Sequence, residues 1–108
     1  MLIEVKRTLE ITDNALDNQL NDFIKRITDR LLLRLGVEFL PLELQFIVIE
    51  CTVKRFNLKG NEGMASYSQE GESITYSDLL DEYKDDIALW VHNQNKLADA
   101  DIGVVRFI

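Results

Sequence analysis

Between Asp13 and Leu35 the apolar side chains Leu16, Leu20, Phe23, Ile24, Ile27, Leu31 and Leu35 return every three or four positions. That spacing gathers them on one stripe of an α-helix, whereas a strand would scatter them over both faces. Such a helix must bury its stripe against other elements to persist, so this run already demands a packed neighbour. Thr12 or Asp13 offers a capping side chain at the start, and Gly36 suits the left-handed residue that closes a helix. Leu32 and Leu33 widen the stripe near its end, which is then either deeply buried or part of a subunit contact.

The rest of the chain supplies the neighbours. Leu2, Val5 and Leu9 share a face of a short helix over residues 2–10, followed by the polar capping types of Thr12 to Asn14. Pro41 precedes the run from Leu42 to Phe56, and proline suits a first helical turn because an amide hydrogen there needs no partner. The β-branched content of Phe46 to Ile49 favours a strand, but the length of the run and the polar positions Glu43, Gln45, Glu50 and Lys54 point to a mostly buried helix. Glu50 and Lys54, four apart, form an expected i,i+4 pair. A further helix is expected over residues 78–97, with Leu80, Tyr83, Ile87, Trp90, Val91 and Leu97 at helical spacing and an end between Asp99 and Gly103. Val104 to Ile108 is a short β-prone tail. The expected core or interface residues are Leu20, Phe23, Ile27, Leu31, Ile47, Cys51, Ile87, Trp90 and Val91.

Residues 61–77, NEGMASYSQEGESITYS, break the helical rhythm. Met64, Ser66 and Ser68 alternate with Ala65, Tyr67 and Gln69, and Ile74 and Tyr76 alternate with Ser73, Thr75 and Ser77, so the period falls to two. Glu70 and Gly71 provide a turn between these arms, and a β-hairpin is more economical than a long structureless insertion. A lone hairpin is marginal and needs another surface to hold it. The expected fold class is therefore mainly α, about four helices with an inserted β-hairpin and a β-prone tail, in a single domain over residues 1–108.

With 46% apolar and 29% charged residues, and no apolar run near the roughly 20 residues that span a bilayer, the chain reads as a soluble globule without a membrane partner. The opening MLIEVKRTLE lacks the basic start and long apolar centre of a signal peptide. A net charge of -7, from 19 acidic and 12 basic residues, argues against tight binding of DNA or RNA.

Catalytic chemistry finds little footing. Cys51, the one cysteine, excludes an internal disulfide and a multi-cysteine zinc site, and inside so apolar a segment it reads as a small buried hydrophobe. His92 has no second metal-ligand type close by, and Asp81, Glu82, Asp85 and Asp86 lack the order of a calcium loop and read as a solvated helix face. Gly60, Gly63 and Gly71 make no phosphate-loop pattern. No enzyme activity, metal or cofactor is expected. Lys54, Arg55 and Lys59 are the densest basic patch, with Lys6-Arg7 and Lys25-Arg26 as separate pairs. Tyr67 and Tyr76 suit packing across the hairpin or against another subunit, and Trp90 suits an anchor.

The runs VKRFN at 53–57, GNEGM at 60–64, SYSQEG at 66–71 and SITY at 73–76 resemble the small head-tail connector, or adaptor, proteins of tailed bacteriophages and prophages, with likeness over about residues 1–98. The resemblance implies a helical subunit of a homo-oligomeric ring below the portal protein, extending the passage for genomic DNA without sequence-specific binding and offering a surface to tail-joining or stopper proteins. It implies a location at the virion head-tail junction, with assembly in the host bacterial cytoplasm. Assembly candidates carried over from it are Gly60, Gly63, Met64, Ser66, Ser68, Glu70, Gly71 and Ile74, beside Lys54, Arg55, Tyr67 and Tyr76 from the basic and aromatic positions. Ala65, Tyr67 and the VVRFI tail depart from the family pattern. The alternative is a small helical regulator whose acidic helix and hairpin hold one protein partner.

Overall fold

The computed structural model of the chain describes residues 1–60 and 76–106, with side chains described over 1–58 and 76–96. Among the described residues the chain forms five α-helices: α1 (Leu2–Leu9), α2 (Asp17–Leu35), α3 (Gln45–Gly60), α4 (Tyr76–Asp81) and α5 (Lys84–Arg106). A single 3-10 turn, Leu42–Leu44, leads into α3. The mainly helical expectation therefore holds, and the Leu42 to Phe56 run is helical despite its β-branched residues.

α2 buries the stripe that its spacing dictates: Leu20, Phe23, Ile27, Leu31 and Leu35 are all buried. Its start differs from expectation, because Leu16 occupies the cap position without a side-chain hydrogen bond. Asp13 instead accepts from the Ala15 amide at 3.1 Å, a local turn that competes with capping. Its end matches, with Gly36 at φ 70° and ψ 31° donating its amide to the Leu32 carbonyl. An added Cβ on Gly36 meets nothing within 4 Å, so the cost of a side chain there is backbone strain alone. Gly36→Ala is expected to lower stability by about 1 kcal/mol, measurable by urea denaturation. Glu10 already bears that kind of strain at φ 59°, as the left-handed residue closing α1.

α3 is the hub of the fold, packing against α1, α2 and α4. Its Ile47, Val48 and Cys51 are completely buried and join Ile27, Leu31, Leu35, Leu44, Leu79, Leu80, Tyr83 and Ile87 in one core. Trp90 and Val91 are partly buried against its edge. The Leu44 amide donates to the Pro41 carbonyl at 3.0 Å, so Pro41 does mark the start, through a 3-10 turn.

Three expectations are corrected. The helix over 78–97 is two helices, because the chain turns at Glu82 and Tyr83. There the Tyr83 amide bonds the Leu80 carbonyl at 2.9 Å, a tightened i→i−3 turn, and Tyr83 is buried against α3. Tyr76 and Ser77, placed at the end of a β-arm, lie in the first turn of α4. The rest of the expected hairpin, residues 61–75, lies outside the described residues. Val104, Val105 and Arg106, read as β-prone, continue α5. An existing helix gains one backbone hydrogen bond for each residue added, which outweighs a valine's propensity deficit of roughly half a kcal/mol. Residues 107 and 108 lie outside the described residues.

Candidate assembly site at the foot of residues 61–75

α3 runs out at Gly60 and α4 begins at Tyr76, so the last turns of one and the first turn of the other flank residues 61–75 in the chain and together form a foot for them. Arg55 and Tyr76, both singled out in the sequence, meet there. The Arg55 guanidinium lies 5.1 Å from the Phe23 ring centre and 5.8 Å from that of Tyr76. A second guanidinium, Arg30, lies 5.8 Å from the same Tyr76 ring and donates to the Ser77 hydroxyl at 3.4 Å. Each such cation-aromatic contact contributes about 0.5–1 kcal/mol at an exposed site.

α4 has only six residues and is held by side chains of α2 and α3. Arg34 reaches along it, donating to the Ser77 carbonyl at 3.1 Å and pairing with Asp81 at 2.9 Å. The Cys51 thiol donates to the Leu79 carbonyl at 3.7 Å. Burial pushes that thiol up to about 12, leaving it neutral at physiological pH and poor as a nucleophile or metal ligand.

Lys54 turns to the α4–α5 junction. Its ammonium pairs with Glu82 and donates to the Tyr83 hydroxyl at 3.0 Å, while that hydroxyl donates to Glu50 at 2.8 Å. The hydrogen bond that Lys54 donates to Glu82 raises the Lys54 pKa, and burial raises that of Tyr83. The expected Glu50–Lys54 pairing is thus mediated by a third residue from a distant segment. Asp81, Glu82, Asp85 and Asp86 are all exposed, as a solvated acidic face requires, and Asp81 and Glu82 also form ion pairs across the fold.

Of the other residues named from sequence, Gly60 ends α3, and Gly63, Met64, Ser66, Tyr67, Ser68, Glu70, Gly71 and Ile74 lie outside the described residues. His92 is exposed on α5. Among the described residues no group of three or more metal-ligand types gathers, and no helix is long and apolar enough to cross a membrane. Sequence reasoning missed Phe23, Arg30, Arg34 and Ser77 as parts of the foot. A signal was present for two of them: Arg26, Arg30 and Arg34 stand four apart on α2, a single charged row.

Among the described residues, polar side chains of α2 and α3 clamp α4 to the helical body, and no catalytic constellation accompanies them. Comparison with known families is specific: the model described as Phage gp6-like head-tail connector protein matches residues 1–90. The chain belongs to that family of phage structural proteins. No curated protein and no solved structure matches it.

Proposed function

We propose that the chain is a ring-forming subunit at the head-tail junction, seated below the portal, where it extends the DNA passage and receives tail-completion proteins. The family match over residues 1–90 carries this reading. The foot geometry supports the role of residues 61–75 as a contact arm, since Arg55, Arg30 and Arg34 tie Tyr76 and Ser77, the residues that follow it in the chain, to α2 and α3. An arm with anchored ends loses less freedom on docking than a free tail. The net charge of -7 suits a passage that guides DNA without holding it, because strong phosphate neutralisation opposes movement.

Replacing residues 62–75 by a short Gly/Ser linker is the test. Helical circular dichroism should persist, while higher-order assembly and joining to portal-bearing heads should be lost. Unchanged assembly and joining would overturn the arm's role.

A further inference from the structure

Two unlike surface grooves lie on the helical body, the first bordering the foot through Arg30 and Tyr76 and the second away from it. The first, about 360 Å³, is lined by Arg26, Asp29, Arg30, Leu33 and Tyr76. Leu33 projects from it 83% exposed, an isolated leucine beside two guanidinium groups. The second, about 200 Å³, lies between the start of α3 and α5 and is lined by Leu44, Phe46, Asp86, Leu89, Trp90 and Asn93. Its rim is apolar, with Leu89 59% and Phe46 40% exposed. The Trp90 indole N–H donates to Glu43 at 2.8 Å, which holds that wall in place. Asp85 and Asp86 add exposed carboxylates on α5.

We infer that these grooves are the two halves of one contact between neighbouring copies of this chain: Leu33 of one copy enters the Phe46–Leu89–Trp90 groove of the next, with Arg26 and Arg30 facing Asp86. The inference rests on the connector reading, in which copies of the chain stand side by side. Charge selects the arrangement. Asp29 also lines the first groove but is paired with Lys25 at 2.8 Å, so the groove is net basic through Arg26 and Arg30. A two-fold contact through either groove alone would set that basic charge, or Asp86, against itself, whereas basic against acidic is attractive and apolar meets apolar. A contact between two different faces is heterologous and repeats from copy to copy, closing into a ring when the rotation allows. It also gives a chain of net charge -7 a local attraction against its overall self-repulsion.

Disulfide trapping in the full chain tests the pairing, since Leu33 and Leu89 are exposed and native Cys51 is buried. A Leu33→Cys, Leu89→Cys double variant with unchanged helical circular dichroism is oxidised in concentrated solution and in head-tail-joined particles. The expected result is a ladder of covalent multimers on non-reducing gels, and mixtures of the two single variants should yield 33–89 dimers in large excess over 33–33 and 89–89 dimers. Dominance of the symmetric dimers, or no multimers from variant chain that is present in the particles, overturns the pairing and leaves the connector reading standing. Crosslinking of either cysteine to a different virion protein assigns that groove to another partner and also overturns it. If wild-type chain is missing from joined particles, the connector reading fails and the pairing fails with it.

Discussion

Leu80→Ala is expected to lower the unfolding free energy by about 3 kcal/mol, inside the roughly 2–5 kcal/mol range for truncating a buried leucine. Leu80 is completely buried in the core shared by α3 and α4. The effect should be large because α4 has six residues and cannot persist without packing. A loss of this size lowers Tm by roughly 12 °C or more for a domain near 100 residues. Urea denaturation followed by circular dichroism measures it, with Leu89→Ala, at an exposed site, expected to stay within about 0.5 kcal/mol. A change below about 1 kcal/mol for Leu80→Ala would mean that α4 contributes little to the cooperative unit. If residues 61–75 act as the proposed contact arm, loosening α4, which follows them in the chain, should also make the variant join heads less well than its residual stability alone would suggest.

The second large effect is alkaline destabilisation. In the folded chain the Cys51 thiol titrates at about 12 against an ordinary 9.0, chiefly because burial disfavours the thiolate. Above pH 9 the unfolded chain has released this proton while the folded chain keeps it, so the unfolded state is favoured as pH rises. Stability attributable to Cys51 is constant below pH 9 and falls by at most about 1.4 kcal/mol per pH unit until the folded thiol ionises near 12. Tyr83 acts with the same sign, since burial raises its pKa and holds the phenol neutral. Lys54 does too: its raised pKa means that the ammonium's hydrogen bond to Glu82 is fully present below the ordinary lysine value of 10.5 and is lost as pH rises through the folded one. Unfolding curves at successive pH values should therefore superpose from neutrality to about pH 9 and weaken by about 2–3 kcal/mol by pH 11. Cys51→Ala should remove the earliest part of that slope, whatever it does to the plateau. A plateau extending to pH 11 in the wild-type chain would contradict the account.

Much of this was legible in the sequence, for a local reason. The period of Leu20, Phe23, Ile27, Leu31 and Leu35, the glycine at 36 and the proline at 41 act through neighbouring backbone, and each appears in the fold where its spacing placed it. Arg55 and Tyr76 were named from composition and position, and they do meet at the foot. What could not be read was direction. Lys54 stands four residues from Glu50 in the chain, yet its ammonium pairs with Glu82, brought beside it by the turn at Tyr83. Arg34 drew no notice among basic residues because its two partners, Ser77 and Asp81, lie more than forty positions away.

By itself the sequence determined that the chain is mainly helical, that its stripes must face one another, and, through motif content, that it belongs among head-tail connectors. Periodicity and capping are short-range and carry their meaning wherever the chain is cut. Tertiary structure alone decided that one expected helix is two and that three arginines of α2 and α3 gather at α4. Those outcomes depend on burying Leu79, Leu80 and Tyr83 against α3, a free-energy gain that exists only when segments distant in the chain arrive together.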